Sequence, residues 1–519
     1  MTPVRRAALL LAALALAVLA LAAPAPADDP PAERVAAALP GLERYVGELR
    51  EKSGVPGLAV AVVHADKVVY LKGFGVRELG KPDPIDPDTV FQLASVSKPL
   101  SATVIAAAVG DGTVGWDSKV ADLDPAFRLS GDYVSGEVTI RELLCHRTGL
   151  PEHAGDVLED LGYPRDEVLR RLRFQKPAGL FRSSYAYTNF AFTEAGVAAA
   201  RVAGKAWEDL AADRLFKPLG MGRTSYRHAD YAAATNRAKL HARRDGKWVA
   251  RYDRRPDAQA PAGGASSTAR DLARWLRLLL ADGRSGGKPV VAAEALGETF
   301  RPQVVSRPAG KPTDPTGFYG LGWNVGRDEA GRLTLTHSGA FDLGAATCVA
   351  LVPEEKLGIV VLTNGAPIGF PEAVAFHFLD LARAGKPSRD WFAFVTPSFE
   401  EVAKPAYGTR VHYAKGPAAK SPPLPAASYA GTYRNDFVGD AVVAEEGGKL
   451  VLKLGPKRKA YALSHYDRDT FTYQPEGEMA AGPSGVTFRV GPDRVADAVT
   501  VENLDVHGSG TLTRVPRGK

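Results

Sequence analysis

The chain has 519 residues, with 65 Lys and Arg against 59 Asp and Glu, a formal charge of +6, ten histidines and two cysteines. That length is too great for one ordinary core, so at least two domains are expected, and so mild a basic excess does not argue for nucleic acid as a partner. Cys145 and Cys348 lie in separate apolar stretches without metal-ligand spacing, and no His-x-His or His-Glu-x-x-His cluster occurs, which argues against a zinc hydrolase. Two buried free thiols are expected, and no metal, nucleotide or redox cofactor site is visible.

Two arginines within Met1 to Arg6, an unbroken apolar run from Ala7 to Ala23 and the small residues Ala25-Pro-Ala27 predict an export signal cleaved after Ala27. A retained membrane anchor is the alternative, since the run almost spans a bilayer; its alanine content and the small-residue cleavage site favour removal. No later run could cross a membrane and no cysteine follows the signal to carry a lipid. The mature chain is therefore expected to be periplasmic or secreted.

A helix is predicted from Gly41 to Lys52, followed by two β-rich runs, Gly57 to His64 and Lys67 to Gly75, which read as a hairpin. The first run is apolar at nearly every position, as a strand covered on both faces requires. From Ser95 to Leu280 the pattern turns helical: Ser97 to Val109, Ile140 to Cys145, Asp166 to Arg173, Tyr187 to Ala203, Trp207 to Leu215 and Ala269 to Leu280. Strand patterns return at Leu333 to His337, Ala345 to Val352 and Leu357 to Thr363, and a helix from Pro371 to Ala384 follows. Strands at both ends with helices between predict an α+β domain, residues 28–385, whose sheet is assembled from distant pieces and whose helical part is an insertion. The Pro, Ala and Lys content of residues 386–427 reads as a linker. Short alternating runs in residues 428–519 predict a small all-β barrel or sandwich. Arg237 to Arg255, with eight basic residues, reads as a solvated loop rather than a site for an anionic substrate.

Chemistry enters at Ser95 and Lys98. Three apart on a helix that starts near Ser95, they share a face and offer a nucleophile beside a base. A lysine near its reference pKa of about 10.4 is a poor base at neutral pH, so the surroundings must lower it by roughly 3 units. The spacing alone is weak, because Ser285-Gly-Gly-Lys288 repeats it in a glycine-rich loop. Further along, Tyr187 and Asn189 stand at the mouth of a helix, and His337-Ser-Gly339 ends a strand where a glycine permits close backbone approach.

In order, Ser95-x-x-Lys98, Tyr187-x-Asn189 and His337-x-Gly339 resemble the three signature elements of the serine β-lactamase and penicillin-binding-protein superfamily, in its class C β-lactamase, esterase and D-aminopeptidase branch. Supporting segments include Pro56-Gly57, Ile140 to Leu150, Pro218 to Met221, Gly263 to Asp271 and Gly320 to Trp323. Tyr429-Ala-Gly431-Thr-Tyr433 is similar to the lipocalin-like β-domain often appended to these hydrolases. The resemblance implies an antiparallel sheet flanked by helices, with an all-helical subdomain forming the other wall of a cleft. It implies acyl transfer through Ser95, with Lys98 and Tyr187 sharing the proton and the backbone N–H groups of Ser95 and Ala340 forming an oxyanion hole. Asn189, His337 and Gly339 would contact a small-molecule or peptide substrate.

One departure bears on that substrate. Where β-lactamases of this superfamily carry Lys-Thr-Gly, this chain has His337-Ser-Gly339, and a histidine is mostly neutral above about pH 6.5. That disfavours tight carboxylate recognition and favours an ester, then a D-amino-acid peptide or amide, over a β-lactam. The absence of a Gly-x-Ser-x-Gly elbow disfavours an α/β-hydrolase. The alternative from another class is a non-catalytic receptor for penicillin or wall fragments.

Overall fold

The computed structural model of the protein describes residues 31–516, apart from 313, 329, 330 and 418. The predicted export signal, residues 1–27, lies outside the described residues. No helix among the described residues is long and apolar enough to cross a membrane.

An eight-stranded antiparallel sheet organises the first three quarters of the chain. Its strands are β1 (Gly57–His64), β2 (Lys67–Gly75), β3 (Val304–Arg307), β4 (Gly317–Tyr319), β5 (Asn324–Arg327), β6 (Leu333–Phe341), β7 (Ala345–Val352) and β8 (Leu357–Thr363). Across the sheet they run β2-β1-β8-β7-β6-β5-β4-β3. The predicted hairpin and meander are both present, and Leu58 of β1 faces Thr363 of β8, so the two ends of the segment meet in mid-sheet.

Period-two alternation sends Leu58, Val60 and Val62 into one core and Ala59, Ala61 and Val63 into another. Each face therefore needs its own cover. One cover is α1 (Pro31–Ser53), which begins ten residues before the predicted start and holds Pro40 in its interior. A proline there removes a helical hydrogen bond. The buried stripe Val35, Ala38, Leu42, Val46 and Leu49 offsets the loss by continuing the apolar face through the proline. The other face carries α2 (Ser97–Gly110), α3 (Asn189–Val202) and α4 (Ala269–Leu280), with shorter helices between them.

After α5 (Phe370–Ala384) the structure departs from the predicted linker. Residues Trp391–Val402 form α6, capped by the Asp390 side chain accepting from Ala393 N at 3.0 Å. Trp391, Val395 and Phe399 are buried in the core beside α5, and Trp391 Nε1 donates to Asp380 at 2.7 Å. Composition hid this helix because Pro397 sits inside it. Of the predicted linker, residues 386–390 and the described part of 403–425 run without helix or strand.

The remainder is a nine-stranded antiparallel sheet: β9 (Gly431–Asn435), β10 (Gly439–Glu446), β11 (Lys449–Leu454), β12 (Lys459–Ala462), β13 (Ser464–Asp467), β14 (Thr470–Tyr473), β15 (Ser484–Val490), β16 (Ala496–Val501) and β17 (Thr511–Arg514). Its two edge strands, β12 and β13, are separated only by Leu463, so the sheet nearly closes into the expected barrel. Tyr429, Tyr433, Phe471 and Phe488 fill it with rings 4.8 to 5.9 Å apart. The barrel rests on the helical region, where Tyr163 O–H donates to Val438 O at 2.9 Å and Asp160 accepts from the backbone of Glu478 and Met479.

Candidate active site

Local backbone geometry presents Ser95. The two-residue strand Phe91–Gln92 pairs with Ser266–Ser267, and Leu93 N donates to Ala265 O at 2.9 Å. Ala94 then adopts φ +47°, the left-handed region, and the chain passes through one 3₁₀ turn into α2. For a residue with a Cβ that conformation costs about 1 to 2 kcal/mol. Its surroundings hold it: Leu93 O accepts from Val96 N at 3.2 Å and from Thr347 Oγ1 at 2.7 Å, and Ala94 is fully buried. Ser95, partly exposed, stands at the mouth of α2.

Lys98 is one helical turn along and fully buried. Its Nζ lies 3.2 Å from Ser95 Oγ, 2.7 Å from Asn189 Oδ1 and 3.0 Å from Ala262 O, and 4.4 Å from the centre of the Tyr187 ring. Burial holds Lys98 well below the ordinary lysine range, with the charge of Asp156 pulling the other way. Tyr187 O–H donates to Ser95 Oγ at 2.8 Å, and burial pushes its phenol above the ordinary range, so it is a proton donor at neutral pH.

Gly339 of β6 explains why that position tolerates no side chain. A Cβ there would lie 2.1 Å from Leu93 O, 2.3 Å from Thr347 Oγ1 and 3.1 Å from Ser95 N. The Ser95 turn thus lies directly over β6, with Ala340 the residue after Gly339. β5 pairs with β6 only as far as Thr336, leaving His337 to Phe341 with β7 as their one strand neighbour.

The structure brings Ser95, Lys98, Tyr187, Asn189 and Gly339 together, but Asn189 and His337 are engaged by the protein itself. Asn189 Nδ2 donates to Asp156 Oδ2 at 2.8 Å while its Oδ1 accepts from Lys98, which leaves one amide hydrogen for a substrate. His337 is 4% exposed; its Nε2 bonds Tyr319 O–H at 2.9 Å and its Nδ1 lies 2.8 Å from Ser338 O. Burial, reinforced by Lys98, pushes His337 down to about 3, so it is neutral across the physiological range. The decoy pair Ser285 and Lys288 sits instead on a tight hairpin whose central Gly286 and Gly287 both have positive φ.

Several residues at the site carry no sequence signal of their own. Asp156 is buried next to His153, whose Nδ1 lies 2.8 Å from Asp156 Oδ2. Arg254, inside the stretch read as a solvated loop, is 6% exposed and pairs with Glu159, so that reading holds only for its neighbours. The barrel reaches the same place: Glu478 accepts from Asp342 N at 2.5 Å, two residues beyond Ala340, and lies 3.8 Å from Arg254. A cavity of about 260 Å³ separates the two regions, with His153 and Val157 on one wall and Met479, Leu504 and His507 on the other. Cys145 and Cys348 are both buried and unpaired. Among the described residues no group of three or more His, Cys, Asp or Glu could hold a metal ion.

With this geometry in view, comparison with known proteins is direct. Residues 42–384 match the family model described as beta-lactamase, and residues 415–512 match a domain of unknown function, DUF3471. A protein named unguisins hydrolase from Aspergillus violaceofuscus is 27% identical over 504 residues, covering 86% of this chain and 87% of its own. Penicillin-binding protein 4 of Amycolatopsis lactamdurans is 29% identical over 399 residues, 75% of this chain and 95% of its own. Among solved structures, the class C beta lactamase of Rhodobacter sphaeroides superposes with a TM-score of 0.53 at 25% identity, over 66% of this chain and 98% of that one. The chain belongs to the beta-lactamase family and is a hydrolase of the serine β-lactamase and penicillin-binding-protein superfamily.

Proposed function

We propose that the chain is an exported serine hydrolase that cleaves an ester, or next a D-peptide or amide bond, through an acyl-enzyme on Ser95. The observation that carries this reading is the set of contacts around Lys98. A neutral amine has two N–H groups and one lone pair; Asn189 Oδ1 and Ala262 O accept the two hydrogens, so the lone pair is left for the Ser95 hydroxyl at 3.2 Å.

As Ser95 Oγ bonds to the substrate carbonyl carbon, its proton passes to Lys98 and the carbonyl electron pair moves to oxygen. The backbone N–H groups of Ser95 and Ala340 receive that oxyanion; one such donor is worth about 3 kcal/mol. When the intermediate collapses, the leaving group takes a proton through Tyr187 and Lys98. Water then repeats the sequence on the acyl-enzyme and frees Ser95. Asn189 directs its remaining amide hydrogen at the substrate, and His337 braces the oxyanion strand through Tyr319. A neutral, doubly bonded His337 offers no cation to a substrate carboxylate, which supports esters ahead of β-lactams.

Purified protein incubated with aryl esters, a chromogenic cephalosporin and D-alanyl peptides, with intact-mass detection, tests the reading. Turnover of at least one class with a transient adduct on Ser95 is expected. Saturable binding that survives Ser95→Ala, without turnover by the wild type, would establish a receptor instead. For the barrel we propose a role in shaping the cleft, supported by the contact of Glu478 with Asp342; truncation near Pro417 should change the substrate range.

A further inference from the structure

Asp156 and His153 belong to no motif, yet the turn from His153 to Asp156 grips both ends of Tyr187-Thr-Asn189. His153 N donates to Tyr187 O at 2.8 Å, and the Asp156 carboxylate accepts from the Asn189 amide at 2.8 Å. The turn is itself closed by Asp156 N donating to His153 O at 3.0 Å and by His153 Nδ1 at 2.8 Å from Asp156 Oδ2. We propose that Asp156, held by His153, is a positioning residue that fixes the orientation of the Asn189 amide and thereby aims the lone pair of Lys98 at Ser95. The proposal rests on the serine-hydrolase reading and extends it to residues outside the three motifs.

The chemical reason lies in the two ends of an amide. An asparagine side chain can turn over with little change of shape, exchanging a carbonyl oxygen for an NH₂ group. With the oxygen towards Lys98, the lysine donates and keeps its lone pair for Ser95. With NH₂ towards Lys98, the lone pair would accept from Asn189, and Ser95 would lose its base. An ionised carboxylate can only accept, so Asp156 permits only the first orientation. Its Oδ2 does this while its Oδ1, buried, has no hydrogen-bond partner.

Charge adds a second effect with an opposite sign for each residue. The Asp156 anion favours protonated Lys98. Burial works against a charge on His153, but the hydrogen bond and the charge of Asp156 outweigh it and raise His153 above the ordinary range. A proton on His153 screens Asp156. Other charged or titratable groups facing His153 are Tyr187, Glu152, Lys98, His146 and, from the barrel, His507.

The rate of Ser95 acylation by an aryl ester, followed by intact mass across pH for the full-length protein, tests this. In the wild type the rate should rise with pH as Lys98 loses its proton. Asp156→Ala should slow acylation at neutral pH by about tenfold or more and move that rise to lower pH by about half a unit or more. Asp156→Asn, whose own carbonyl can accept from Asn189, should recover rate but keep the displaced rise. His153→Gln, which retains a donor and lacks the charge, should move the rise to higher pH. Unmoved profiles for Asp156→Asn and His153→Gln would overturn the proposal, as would an equal loss of rate in both Asp156 variants with no displacement. If the wild type itself forms no Ser95 adduct, the underlying hydrolase reading falls instead. Thermal melts of each variant identify misfolding, and should Asp156→Ala fail to fold, the opposite displacements in Asp156→Asn and His153→Gln decide alone.

Discussion

Ser95 with Lys98 and Ser285 with Lys288 share a three-residue spacing and almost nothing else. The first pair is built into the start of a buried helix, over a strand with a required glycine, and its lysine is fully enclosed with polar acceptors on two sides. The second pair faces across a two-strand hairpin, and its lysine is exposed. A serine–lysine spacing therefore says which atoms could meet, while enclosure decides whether the lysine has a lone pair to use.

Four experiments break or sharpen that contrast, taken from the largest expected effect. Ser95→Ala should reduce turnover by about 10⁴-fold or more, measured with whichever substrate proves active, whereas Ser285→Ala should leave it unchanged. Lys98→Met should cost about 10²- to 10⁴-fold in acylation, with Lys288→Met as the neutral partner. Gly339→Ala, by forcing the Ser95 turn off β6, should lower kcat by about 10²- to 10³-fold; a wild-type kcat would show that the turn and strand need not touch. The smallest effect is on stability. Lys98 binds its proton less readily when folded than when unfolded, so its burial destabilises the fold increasingly as pH falls from about 10.4. Lys98→Met should accordingly gain stability on going from pH 9 to pH 7 relative to the wild type, by about 1 to 3 kcal/mol in denaturant titrations.

What sequence could reveal follows from how local each cause is. β1 is legible because a strand buried on both faces leaves no polar position, and Gly339 because a missing Cβ is itself a residue type. Asp156 and His153 are illegible because their roles arise from a side chain more than thirty residues away that reaches them only in the folded chain. Arg254 looks like its basic neighbours, and only Glu159 and the barrel's Glu478 distinguish it. The helix from Trp391 to Val402 was obscured by Pro397, since composition cannot weigh one proline against three buried aromatic and aliphatic contacts. The motifs single out Asn189 and His337, but not their partners Asp156 and Tyr319, which hold the amide and the ring in place.

The pairing of β1 with β8 has a consequence for how the protein is made. It closes a loop of roughly 300 residues, and the entropy of closing so long a loop must be met before the sheet is complete. Ser95, Lys98, Tyr187 and Asn189 lie in the first half of that loop, whereas β6, which underlies the Ser95 turn, lies near its end and is among the last strands of the sheet to leave the ribosome. A chain made only as far as Asn189 therefore holds Ser95, Lys98 and Tyr187 without the strand against which the Ser95 turn packs. The topology therefore delays assembly of the site until the later strands of the sheet have been made.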